Sequence, residues 1–141
     1  ESDFPELEAR WGAFNPEGLQ IPAIQPKYMV THWKSLIGKE FQLVIQAAPF
    51  VIFHFMNTEK KDLWRSLCFL GCMALQSEIK DMESYLSELS HCIQRFLFHV
   101  AKMNGRWANK PKFHHLLHLP ESIQRFGPAT LFATERFESY N

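Results

Sequence analysis

From Asp81 to Met103 apolar residues return every three or four positions: Met82, Tyr85, Leu86, Leu89, Cys92, Ile93, Phe96, Leu97 and Val100. That period predicts one long amphipathic helix, with Asn104-Gly105 as its stop. A second helix is predicted upstream, capped by Asn57 or Thr58, with Glu59 in its first turn and Leu63, Trp64, Leu67, Cys68, Leu70 and Leu75 on a broad apolar face. His32 to Ile37 reads as a short helical turn stopped by Gly38, and Glu40 to Ala48 as a helix that Pro49 interrupts. Phe50 to Phe55 is apolar nearly all round and is expected to be buried. Beyond the long helix, Phe113 to His118 predicts a short helix, and Pro120 opens another that Gly127-Pro128 ends. Thr130 to Asn141 is expected to begin extended and to turn helical near Thr134. Strand alternation never persists and no repeat is present, so the expected fold is all-α, an irregular helical bundle.

Residues 1–30 have a different texture. Pro5, Pro16, Pro22 and Pro26, with Gly12 and Gly18, keep removing backbone donors, which predicts a meandering Pro-rich arm. Trp11, Phe14, Leu19, Ile21 and Ile24 are too apolar for a free linker and are expected to pack on the helices of residues 31–141.

The chain has 141 residues, 46% of them hydrophobic, enough for one domain with a real core. Fifteen Lys plus Arg balance fifteen Asp plus Glu, so the overall field does not favour phosphate, and any nucleic-acid contact must be local. Lys102, Arg106, Lys110 and Lys112 are the one basic cluster suited to such a contact. Three cysteines without framework spacing read as buried thiols of a reducing compartment. No apolar run is long enough to span a membrane. The start at Glu1 and the stop at Asn141, inside a polar and aromatic pattern, read as the cut ends of a fragment.

The densest chemistry lies near the C-terminus. His114 and His118 stand four apart, which on a helix aligns both imidazoles on one face at a separation suited to zinc; His115 points elsewhere. Zinc needs about four ligands. Cys68 and Cys72 are also four apart and would complete a two-Cys, two-His set, but they sit in an apolar run that reads as core. A satisfied or capping role competes for the histidines. Glu121 follows Pro120, where a carboxylate suits the helix dipole. Glu135 and Glu138 share a helical face near Arg136 and Tyr140, a solvated face or half of a divalent-metal site. Phe113, Leu116, Leu117, Ile123, Phe126, Phe132 and Phe137 read as core. No phosphate-cradling glycine loop or nucleophile triad is present.

The string Pro111-Lys-Phe-His-His-Leu-Leu-His-Leu-Pro-Glu-Ser-Ile-Gln-Arg-Phe-Gly-Pro, followed by Phe132-Ala-Thr-Glu-Arg-Phe-Glu-Ser-Tyr-Asn, resembles the C-terminal region of CACTA-type and Kyakuja-Dileera-Zisupton-type transposases, notably fungal copies. Trp33 to Phe50 and the helix at Asp81 are similar too, so the resemblance spans roughly Tyr28 to Asn141. It implies a nuclear DDE transposase, an RNase H-like enzyme whose three acids hold two Mg²⁺ ions for DNA strand cleavage and joining, with a helical insertion before the last acid. Glu135 then matches the final acid. His114 and His118 match a pair that joins an upstream Cys-x-x-Cys on zinc. Cys68 and Cys72 have three residues between them, so the remaining ligands, like the first two acids, are expected outside the chain, and the fragment alone is expected to be inactive. Implied partners are DNA and a second copy in a homodimer. The competing expectation is a non-catalytic protein-interaction module, such as a domesticated or decayed relic of a transposase; a helical metal-binding domain independent of DNA is a third.

Overall fold

A computed structural model of the chain describes residues 3–18, 23–36 and 38–132. Among the described residues every regular element is helical and there is no strand, as the periodicity predicts. The chain divides into two compact units, Glu1–Asn57 and Thr58–Asn141. No helix among the described residues is long and apolar enough to cross a membrane.

The first unit contains α1 (Phe4–Ala13), α2 (Pro26–Thr31), α3 (Gly38–Val51) and a 3-10 turn (Phe53–Phe55). The meandering arm expected over residues 1–30 thus carries two helices. The reason lies in where its prolines fall: Pro5 and Pro26 occupy the first turns of α1 and α2, where backbone N–H groups have no intrahelical acceptor and their loss is free. Trp11 is only 3% exposed, and α1 packs against α2 and α3. Leu19 and Ile21 lie outside the described residues. Of the helical turn expected at His32–Ile37, the described residues show a hydrogen-bonded turn in which the Ser35 amide bonds the His32 carbonyl at 2.8 Å, just after α2, whose last residue donates from Thr31 Oγ1 to the Lys27 carbonyl. Pro49 does not stop α3, which runs two residues further; a proline this near the end costs a single intrahelical bond. Leu43, Val44, Ala47, Ala48 and Val51 form the buried stripe. Phe50 falls beside that stripe and is 70% exposed, so the Phe50–Phe55 run is not uniformly buried.

The second unit is built on a hairpin of α4 (Thr58–Ala74) and α5 (Met82–Met103). Asp81 caps α5 by accepting from the Ser84 amide at 3.2 Å. Tyr85, Leu89, Ile93, Phe96 and Val100, at intervals of four, four, three and four, are its buried face. Across the hairpin the Tyr85 hydroxyl donates to the Met73 carbonyl at 2.7 Å, holding the C-terminal turn of α4 to the start of α5. Short helices α6 (Gly105–Ala108), α7 (Pro111–Leu116), α8 (Leu119–Phe126) and α9 (Ala129–Phe132) follow. Ile123 of α8 is fully buried and joins the α5 cluster with Leu70. Gly127 ends α8 at φ 83, ψ −164, a conformation open essentially to glycine alone. Thr130, expected to be extended, lies instead inside α9, where the Leu131 amide bonds the Pro128 carbonyl.

Candidate functional site

Asn104 sets the direction of the chain into the histidine segment. It closes α5 through its amide, which bonds Val100, and opens α6 through its side chain, which accepts from the Arg106 amide at 3.1 Å. Pro111 then starts α7 at its first turn. Phe113 packs its ring against Phe96 at 6.0 Å, while Leu116 and Leu119 lean on the same core and Ile123 is enclosed by it. These four inward anchors turn His114, His115 and His118 outward, and all three are exposed.

The predicted single helix carrying both histidines is in fact a junction. α7 stops at Leu116, and His118 is the N-cap of α8. The backbone nevertheless stays right-handed: Leu117 and His118 keep helical angles, and their amides bond the carbonyls of His114 and His115 at 3.0 and 3.1 Å. Ser122 closes the entry to α8 by bonding the His118 carbonyl through both its amide and its hydroxyl. The tightened turn brings His114 Nε2 and His118 Nε2 to 3.4 Å, with the rings edge-on at 5.1 Å. Without a metal, one nitrogen donates to the other. Two nitrogens bound to one tetrahedral zinc at about 2.0–2.1 Å also stand about 3.4 Å apart, so the pair matches one edge of a zinc site. His115 is set aside, its ring 6.4 Å from that of His114.

The two-Cys, two-His set does not assemble: no group of three or more His, Cys, Asp or Glu side chains converges among the described residues. Nor are the thiols the uniformly buried set that composition suggested, since Cys72 is exposed while Cys68 and Cys92 are half-buried. Burial, helped by neighbouring Cys72, pushes the Cys68 thiol up to about 11; burial also raises Cys92. Both remain protonated at neutral pH.

Lys102, Arg106, Lys110 and Lys112 run from the last turn of α5 into α7, all exposed, and none pairs with a carboxylate among the described residues. They lead directly into the histidine junction. Glu121 sits in the first turn of α8 as expected, and is held there by Arg125 at 2.7 Å. Exposed pairs of this kind contribute little to stability. Glu135 and Glu138, with Arg136, Phe137 and Tyr140, lie outside the described residues. Of the aromatic and aliphatic residues read as core, Leu117, Phe126 and Phe132 are exposed.

The double cap at Asn104 was not legible in the sequence, whereas the break between the helix of the histidines and the one opened by Pro120 was expected; it falls two residues earlier than the pattern placed it, with α7 ending at Leu116 and His118 serving as the N-cap of α8. No family model matches the chain, and no curated protein or solved structure matches it either.

Proposed function

We propose that the chain is the helical part of a transposase-like nuclear protein, in which it carries one edge of a structural zinc site and leads into the helix of the last catalytic acid. The observation that carries this reading is the 3.4 Å separation of His114 Nε2 and His118 Nε2, at the position where the resemblance places a zinc-binding pair. In the proposed full-length enzyme, zinc would be completed by thiolates from outside these residues and would fix the α7–α8 junction as a rigid corner. Zinc supplies structure there rather than chemistry. Lys102, Arg106, Lys110 and Lys112 would meet DNA phosphates on the approach to that corner, a contact that positions the duplex without reading its sequence. Glu135 would hold Mg²⁺ together with two acids outside the chain, for in-line attack on a phosphodiester. The 141 residues by themselves lack the other two acids and perform no strand cleavage.

The test is the metal content of the full-length protein and of its His114→Ala and His118→Ala forms. One zinc per chain in the parent, lost in both variants and retained in His115→Ala, supports the reading. Equal zinc in all four forms, or none in any, would falsify it.

A second reading, a non-catalytic interaction module, is favoured by the large apolar side chains left in solvent, among them Phe98 at 63% and Phe69 at 60% exposed. It predicts an intact fold with neither zinc nor Mg²⁺-dependent cleavage in the parent.

A further inference from the structure

Charge is balanced over the whole chain but not locally: no Asp or Glu falls between Glu88 and Glu121, whereas Arg95, Lys102, Arg106, Lys110 and Lys112 do. On α5 the helix orders this basic stretch. His91, Arg95, Phe98 and Lys102, at intervals of four, three and four, form one stripe, and all four are exposed. With about 3.6 residues per turn, the stripe lies opposite the buried face of Tyr85, Leu89, Ile93, Phe96 and Val100. Arg95 and Lys102 stand roughly 10 Å apart along the helix axis, with Phe98 between them. Asn104 carries the surface on into α6. Its side chain accepts from the Arg106 amide at 3.1 Å and its carbonyl from the Trp107 amide at 2.9 Å, while the Trp107 carbonyl accepts from the Lys110 amide at 3.0 Å. Trp107 is 41% exposed. Near the other end of the stripe, Phe69 of α4 lines an open hollow of about 170 Å³ together with His91 and Arg95.

The alternation of cation and exposed ring selects the occupant. A protein partner covers exposed rings with a patch whose centre is poor in charge, and here cations lie between the rings. Duplex DNA offers phosphates but keeps its bases stacked inside, so it would use the cations and leave the rings idle. An unpaired strand uses both, its phosphates on the cations and its open base faces on the rings. We propose that the outer face of α5 and α6 binds single-stranded DNA, with Arg95, Lys102 and Arg106 on the phosphates and Phe98 and Trp107 as stacking platforms. Taking DNA as the polymer rests on the function proposed above. In that setting Lys110 and Lys112 hold the adjoining duplex, and the unpaired strand leaves it across α6 and along α5. Glu88, three residues before His91, ends the track by repelling a further phosphate.

The experiment titrates the 141-residue chain into fluorescein-labelled oligothymidylate and, separately, into a labelled duplex of the same length. Binding is read by fluorescence anisotropy, and circular dichroism confirms that each variant folds. The single strand is expected to bind about tenfold or more tighter than the duplex. Phe98→Ala, at an exposed position outside the core, weakens single-strand binding about tenfold and leaves duplex binding unchanged. Lys102→Gln lowers the slope of log affinity against log salt by about 0.7, the share of one phosphate on a single strand. No binding of oligothymidylate, equal or tighter binding of the duplex, or indifference to Phe98→Ala overturns the proposal; the first of these leaves the rings to a protein partner. None of these results bears on the zinc content or the Mg²⁺-dependent cleavage of the full-length protein, so the function proposed above stands or fails on its own measurements.

Discussion

Ile123→Ala tests whether the histidine segment is held where the structure places it. Ile123 is fully buried and ties α8 to the α5 cluster of Leu89, Ile93, Phe96 and Val100. Truncation to alanine removes three buried carbons, worth about 2.4 kcal/mol at about 0.8 kcal/mol each. The hole left behind adds to this, because the surrounding helices close only in part, which brings the loss to about 3 kcal/mol. For a chain of this size that corresponds to a fall of about 10 °C in melting temperature. In urea, followed by far-ultraviolet circular dichroism, the midpoint should move while the slope stays constant. Phe126→Ala, three residues on but 66% exposed, should stay within about 0.5 kcal/mol of the parent. An Ile123→Ala midpoint equal to the parent's would refute the reasoning. It would mean that α8, and with it the His114–His118 corner, is not anchored to the hairpin.

Other outcomes follow from single features. Gly127→Ala forces a Cβ into φ 83, ψ −164 and against Leu131 Cδ1 at 3.3 Å, and should cost on the order of 1–3 kcal/mol in the same urea assay; a neutral result would argue against the reversal after α8. Tyr85→Phe removes the bond to the Met73 carbonyl and should cost about 1 kcal/mol, the carbonyl being left without that donor. Cys68 binds its proton more firmly folded than unfolded, so its contribution is complete below about pH 9 and is lost as pH rises through about 11. Urea midpoints measured across that window should fall less steeply for Cys68→Ala than for the parent, and identical slopes would contradict the burial of this thiol.

What the sequence revealed and what it concealed have physical causes. The α5 helix was legible to within a residue because its apolar period, its Asp81 cap and its Asn104 stop all agree. The inward set at Phe113, Leu116 and Ile123 was legible for the same reason. Proline was the main source of error in the first unit: counting Pro5, Pro26 and Pro49 as breakers ignored their positions, two in first turns and one near a helix end, where the cost is small. The histidine pair was found by spacing, but its 3.4 Å approach arises from i to i+3 bonds at the α7–α8 junction, which no period of 3.6 reveals. Exposure of Phe50, Phe98 and Phe126 was equally hidden, because composition does not say on which side of a buried stripe an aromatic residue falls.

Whether this helical chain belongs, as proposed, to a metal-dependent DNA strand-transfer enzyme turns on strand cleavage by the full-length protein with and without Glu135→Gln. Mg²⁺-dependent cleavage of DNA by the parent is expected, and its loss in the variant with the melting temperature unchanged. Cleavage retained by Glu135→Gln, or no cleavage by a folded, zinc-loaded parent, would contradict it.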